Sequence, residues 1–462
     1  MAGNPPQRNA LLLPDLRLLI RGGEVEALRE FIEDQHPGRT AELIEDLQSV
    51  DGDALFHILP TRDQAEVLSY LDTESQHRIV ESMPLRDAAD LLHIMSHDER
   101  ADLVKRLDED FVDGVLPHLA QAEREDIRRL NSYEPGTAGA VMTTDYVTLP
   151  AHITVRDALE RLRQEAPDKE TIYYSYVVDH NRRLIGFVSL RTLILSRRPA
   201  MIEDIMQRDI IYGRVDEDQE SVARQIDKYD LIALPVVDAS HRLVGIVTHD
   251  DAMDILRQEQ TEDILKFGGV SPDPEADTAP YWSSTVPDVV RRRIKWLLML
   301  FLAAELTIPL VRHFEWVKIR FTALDFFLPL MLGTGGNAGS QTVGTVIRGM
   351  ALGEIKGHGA WRVIAREWLT GVFLGFMLGT VGVGYARYRW GQPWGISLVV
   401  GLTLLGICTW SNTIGAIVPL LARRLGIDPA VISAPFISTL VDATGLVIYF
   451  TTAILLLIKL GA

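Results

Sequence analysis

The stretch 431–459, VISAPFISTLVDATGLVIYFTTAILLLIK, decides how the rest of the chain is read. It is apolar and long enough to cross a bilayer as a helix, yet it carries one carboxylate, Asp442, near its middle. A lone Asp at that depth costs a few kcal/mol by insertion scales, so it faces a bundle interior or a water-filled path, or pairs with a base on a neighbouring helix. On a helix, Ser438, Thr439, Asp442 and Gly445 share one side, a narrow polar and small stripe on an apolar rod. Two readings follow for Asp442: the ionic partner of another helix, or a cation site in a conduction path.

Hydropathy divides the C-terminal part into five expected spans, roughly 294–314, 323–347, 362–386, 395–421 and 431–458. If residue 290 is cytosolic, the cytosolic ends hold more basic residues (Arg291–Arg293, Lys295, Arg348, Lys356, Arg362, Arg366, Arg423, Arg424) than the opposite ends. That bias leaves the C-terminus outside. In the second span, LGTGGNAGSQTVGTVIRG, one face carries Gly333, Asn337, Gln341, Gly344 and Arg348. The fourth span is expected to offer Thr409, Asn412, Ala416 and Pro419 in the same fashion. In the third, Gly371, Gly375 and Gly379 repeat the GxxxG spacing, and close helix packing is reason enough for them. Packing alone does not explain Asn337, Gln341, Asn412 and Asp442. Oxygen and amide donors with one carboxylate suit a hard cation, and Mg2+ sheds water reluctantly and is commonly held by one or two carboxylates. A twofold axis would double the single Asp.

The overall balance of 46 Lys and Arg against 63 Asp and Glu gives a net charge of −17, but the halves differ. From Arg291 onward there are 16 basic and 7 acidic residues; before it there are 30 and 56. An acidic soluble half lacks the basic patch of a nucleic-acid binder and fits a part that meets cations. The one cysteine, Cys408, lies in an apolar run and forms no intramolecular disulfide. Pro14, Asp15 and Arg17 interrupt the apolar N-terminal stretch, so it does not read as a signal peptide, and the N-terminal half is expected in the cytosol.

Residues 11–133 read as short helices in series, a small α-superhelix, with caps expected at Thr61, at Asp72 or Thr73, and at Ser96. His93 and His97 have a zinc-compatible spacing on one expected helix but no further ligands in view, so they read as surface histidines. Residues 137–258 contain an internal repeat: YSYVVDHNRRLIGFVSLRTLI is echoed by IALPVVDASHRLVGIVTHDDAM. Each copy gives helix, strand, turn, strand and helix, and the pair resembles tandem CBS domains, regulatory modules that often bind adenosine nucleotides or ions. In nucleotide-binding copies a Thr or Ser and a downstream acid follow the second strand. The second copy has Thr248 and Asp251; the first has Ser189, with Thr192 where the acid is expected. A further acidic helix, DAMDILRQEQTEDILKFG, precedes a linker rich in Pro, Gly and Ser.

This order of parts, with GGNAGSQ, GIDPA and PFISTLVDATGLVIYF, resembles the MgtE family of magnesium channels and transporters over nearly the whole chain. The resemblance implies an all-α superhelical N-type domain at 1–136, α/β CBS domains at 137–200 and 201–256, a plug helix and linker at 257–290, and a five-helix transmembrane pore domain at 291–462. It also implies a homodimer in the plasma (inner) membrane with its pore between the two membrane domains. Asp442 would be the ion-selective carboxylate and Asn337 would line the path. Regulatory Mg2+ would bind Asp218, Glu220, Asp230, Asp251 and Asp254, and also Glu259, Glu262 and Asp263 on the plug helix facing Asp428. From HDERAD either Asp98 or Asp102 would join them. Tyr174 and Arg191, with Thr248, match positions near the family's pocket for ATP. The expected function is a magnesium-selective channel for Mg2+ uptake, closed when cytosolic Mg2+ bridges these acidic surfaces; the alternative is an ion-coupled transporter of divalent cations. Among enzymes, an intramembrane metalloprotease would need HExxH, and AREWL around Glu367 has neither histidine.

Overall fold

The structure is a computed structural model and describes residues 6–47, 49–166, 169–273, 277, 284–355 and 359–459. Lys356 and much of the linker after the acidic helix lie outside the described residues. The chain divides into two units, Met1–Glu259 and Gln260–Ala462.

The first unit opens with short helices running from Pro6–Gly22 to Gln121–Asn131. Breaks recur because prolines and polar caps end each helix before a second apolar stripe accumulates. Pro60 and Pro84 take extended conformations just before Thr61–Leu68 and Leu85–Ile94, so Pro60 rather than Thr61 occupies the cap position. Asp72 caps Thr73–Glu81 by accepting from Ser75 N at 2.7 Å. Alternate helices stack: Pro37–Leu47 on Thr61–Leu68, that helix on Leu85–Ile94, and that one on Glu109–Val115. The stack encloses a core that includes Leu43, Phe56, Leu68, Ile79 and Leu91. His93 and His97 fall on two different helices, separated by the break at Met95–Ser96. His93 meets Glu123, and His97 lies 2.9 Å from Asp126 and 3.4 Å from Asp145, so the two rings are not paired as metal ligands.

The repeat forms two sheets of identical plan. β1 (Val147–Pro150) runs parallel to β2 (Tyr174–Val178), which pairs antiparallel with β3 (Leu184–Ser189). β4 (Gly213–Arg214), β5 (Ala233–Val237) and β6 (Leu243–Thr248) repeat that order. Both hairpins turn in the same way. Asp179 Oδ1 accepts from the backbone of Asn181 and Arg183, and Asp238 Oδ1 from Ser240 and Arg242. Arg182 and His241 take the left-handed conformation at equivalent places, with φ of 61° and 62°. The side-chain acceptor locks both turns, so no glycine is needed there.

Among the described residues of the second unit, four helices are long and apolar enough to cross a membrane: Val286–His313, Ala360–Arg389, Trp394–Arg424 and Ala434–Ile458. Leu324–Ala351, at 28 residues, is the expected second span, and its glycines and amides lower its hydropathy. The first span begins eight residues earlier than its hydropathy suggests, placing Arg291–Lys295 inside the helix rather than ahead of it. None of its residues from Val286 to Ala304 is buried. The second span packs on the fourth and fifth, and the third on the fourth. A Cβ on Gly371, Gly375 or Gly379 would stand 2.8 Å or less from backbone atoms of the fourth span, so these glycines set the approach of the two helices.

Candidate cation sites

The fifth span is started by Ser433, whose hydroxyl accepts from Phe436 N at 3.3 Å, and it runs helically through Asp442. Its contacts with the second span are antiparallel. A Cβ on Gly339 would meet Ile437, one on Gly336 would meet Ser438, and one on Gly335 would meet Val441. Gly445 faces Leu332. Asp442 is therefore about level with the GTGGN segment. The glycines of GGNAGSQ face the fifth span, which leaves Asn337 and Gln341 on the exposed side with Gly333 and Arg348. Asp442 itself is half-buried, and among the described residues no Lys, Arg or His forms a salt bridge with it. The ionic-partner reading of this carboxylate thus finds no partner.

Asn412 does not join that stripe. It is 2 % exposed, its Cβ lies against Gly371 of the third span, and its Oδ1 has no hydrogen-bond partner. Thr409 turns back to the carbonyl of Leu405, and Ala416 and Pro419 are buried. Helical spacing placed these residues together correctly but could not tell which neighbour their face meets. Glu367 lies near the same junction, accepting from Thr342 Oγ1 at 3.4 Å.

The last turns of the acidic helix, His249–Phe267, bear on this bundle. Phe267 packs with Val343, Ile437 and Val441, its ring 3.5 Å from where a Cβ on Gly344 would be. Gly344 is one turn along the helix from Gln341, so an aromatic ring sits on the polar face of the second span. Beside it, Lys266 Nζ lies 2.7 Å from Asp428 Oδ2 and 2.5 Å from Glu262 Oε1. Burial works against this ammonium, but Asp428 and Glu262 more than offset it and hold Lys266 above the ordinary amine range. The expectation that Glu259, Glu262 and Asp263 face Asp428 passed over Lys266 and Phe267, which only the fold brings to that point, while Glu259 accepts from Gln219 instead.

In the first unit, carboxylates converge from three segments: Asp98 and Glu99 on His97–Arg106, Glu170 before β2, and Asp250 and Asp251 at the start of the acidic helix. Burial and the charge of Asp98 lift Glu99 to about 7 and Asp251 to about 7. Glu170 is exposed at its surface, yet desolvation by the surrounding protein and repulsion from Asp98, Asp251, Glu99 and Asp250 lift it to about 8. Burial also raises Asp98, whose Oδ1 is enclosed without a hydrogen-bond partner. Asp102 lies one turn further along the same face of that helix and is more exposed; desolvation and the charge of Asp98 raise it too, against the pull of Lys105 and Arg106. Glu99 and Glu170 were not among the expected residues; no local motif marks them. Among the described residues no group of three His, Cys, Asp or Glu side chains is already gathered as a chelating set. The site is a zone of mutual repulsion that a divalent cation would relieve, and its donors are the oxygens Mg2+ prefers.

The remaining candidates lie apart from that zone. Asp218 caps Gln219–Lys228 through Ser221 N, Glu220 pairs with Arg224, and Asp230 is exposed in a left-handed turn. Asp254 pairs with Arg257, and Glu259 accepts from Gln219 Nε2 at 3.0 Å. Of the nucleotide candidates, Thr248 Oγ1 donates to Asp251, while in the first copy Ser189 and Thr192 make the same short cap at 2.9 Å without a carboxylate. Tyr174 packs in the apolar cluster of Tyr176, Ala233 and Ile246, and Ala233 is the cross-strand partner of Thr248. Arg191 is exposed.

Comparison with known proteins agrees along the chain. Residues 35–136 match the MgtE intracellular N domain, 138–197 and 202–258 match CBS domains, and 328–452 match a family described as divalent cation transporter. The magnesium transporter MgtE of Thermus thermophilus is 40 % identical over 453 residues, covering 96 % of this chain and 98 % of that protein. The chain belongs to the MgtE family. A second MgtE, from Bacillus subtilis, is 30 % identical over 94 % of this chain and 95 % of its own length. The solved cytosolic domain of the Mg2+ channel MgtE in complex with ATP is 38 % identical, covers 53 % of this chain and all of that one, and superposes with a TM-score of 0.51. MgtE proteins are magnesium transporters with an N domain, a CBS pair and a helical membrane region, and are not enzymes.

Proposed function

We propose that this chain is a magnesium-selective channel for Mg2+ uptake across the plasma membrane, acting as a homodimer and closed by cytosolic Mg2+. The observation that carries the reading is Asp442, a within-span carboxylate with which no basic side chain among the described residues forms a salt bridge, level with the second span's GTGGN segment. A hydrated divalent ion supplies the countercharge that the protein withholds, and a twofold axis between copies would set two Asp442 carboxylates and two Asn337 amides around one path. The exposed polar face of the second span and the unburied first span are surfaces that a second copy would cover.

Closure rests on the acidic zone and on the helix His249–Phe267. Asp98, Glu99, Glu170 and Asp251 resist ionising together, so bound Mg2+ stabilises their close approach by mass action. Ala252 and Ile255 fix the start of the helix in the second CBS core, while Phe267 ends it on the polar face of the second span. The same helix therefore serves as the plug. Swinging such a gate from mostly open to mostly shut takes about 5.5 kcal/mol of differential binding, which several weak sites supply together. The relative that binds ATP supports a nucleotide at Thr248 and Tyr174, with Asp251 then shared between ribose and cation.

The test is current through planar bilayers with Mg2+ gradients. A channel's current reverses at the Mg2+ equilibrium potential whatever the Na+ or H+ gradient. A reversal that moves with either monovalent gradient would replace the channel by a coupled transporter.

A further inference from the structure

The chain places a cation of its own between the plug helix and the loop before the last span. Lys266 Nζ sits 2.5 Å from Glu262 of its own helix and 2.7 Å from Asp428, 162 residues further along the chain. Its side chain is 22 % exposed, so the pair is partly withdrawn from solvent. Three further contacts hold the same corner. Phe267 packs on Val343, Ile437 and Val441. Trp296 covers Gly269, where a Cβ would stand 2.4 Å from the indole, and donates its Nε1–H to Ser433, the cap of the last span. Arg292 Nε donates to the carbonyl of Ser271.

We propose that the position between Glu262 and Asp428 is a cation subsite that Lys266 occupies, latching the plug helix to the base of the last span when no divalent ion is bound. The idea rests on the reading of His249–Phe267 as the plug. Without Lys266, two carboxylates would face each other across the helix–loop junction and drive it open; with it, the junction closes on one positive charge. Magnesium reaching this point competes with an ammonium that is covalently attached and always present. Lys266 is thus a positioning residue that sets how far the gate rests towards closed before any ion arrives. The latch is graded: ion pairs this exposed each contribute up to about 1 kcal/mol, enough to bias a junction and not to lock it.

Hydrogen–deuterium exchange on the full-length protein in nanodiscs tests this at amides 262–270. In EDTA, Lys266→Gln should exchange there about threefold to tenfold faster than wild type, while Lys266→Arg should stay near wild type. Added MgCl2 should restore protection in Lys266→Gln and add less to wild type, whose subsite is already filled. Equal exchange of wild type and Lys266→Gln in EDTA would overturn the latch. So would an Arg variant as fast as Gln, since the geometry asks only for a tethered cation. If Mg2+ restores nothing in Lys266→Gln while the EDTA difference holds, the latch stands and magnesium binding at this junction fails instead.

Discussion

Asp98 and Asp102 lie one turn apart on one short helix, and burial raises both, but the neighbours that face them differ. Asp98 is enclosed among Glu99, Glu170 and Asp251, with an oxygen left unpartnered; Asp102 is more exposed and has the basic Lys105 and Arg106 beside it. Asp98→Asn removes a charge from the crowded zone. The protein without Mg2+ should therefore be stabilised by about 1 kcal/mol and should lose much of its Mg2+-induced rise in Tm. Asp102→Asn, which also removes the charge facing Lys105 and Arg106, should change both by less than Asp98→Asn does, and thermal unfolding in EDTA and in MgCl2 checks the pair. From sequence the acidic richness of this region was plain and the choice between the two aspartates was not, because which carboxylate is buried depends on segments some 70 and 150 residues away. Glu170 illustrates the same limit: it belongs to no motif and acquires its character only from the charges folded against it.

Helices and hairpins were largely legible. The doubled VVD…VGIV pattern becomes two sheets of the same order, down to equivalent left-handed residues in the turns. GxxxG spacing in the third span becomes backbone contact with the fourth. The direction of a polar face was harder to read. Periodicity put Asn412 and Asn337 on comparable stripes, but the first faces a helix and the second an open surface, because only three-dimensional packing names the neighbour. The glycines provide a test at this scale. At Gly379 a Cβ would stand 2.5 Å from the carbonyl oxygen of Gly401, whereas at Gly333 it would meet nothing within 4 Å. Gly379→Ala should lower membrane-domain stability by about 1–3 kcal/mol, read as a drop in Tm in detergent, and Gly333→Ala should leave that Tm unchanged.

For the molecule as a whole, the proposed function couples the acidic zone of the first unit to the Asp442 carboxylate, and that zone has a pH signature. Glu99, Glu170 and Asp251 bind protons more tightly in the folded protein, near 7 to 8, than carboxylates do in an unfolded chain. The folded state therefore holds more protons between about pH 4.5 and 8, and stability without Mg2+ should fall as pH rises through that window. Saturating Mg2+ should flatten the slope, since it replaces the protons as countercharge; Tm against pH with and without Mg2+ measures both. The most direct measurement is Mg2+ flux into proteoliposomes at stepped Mg2+ on the cytosolic face, for wild type and Asp442→Ala. The account predicts flux in wild type that falls as cytosolic-side Mg2+ rises, and none in Asp442→Ala. Undiminished flux through a folded Asp442→Ala protein would remove that carboxylate from the path, and wild-type flux indifferent to cytosolic-side Mg2+ would contradict the sensor.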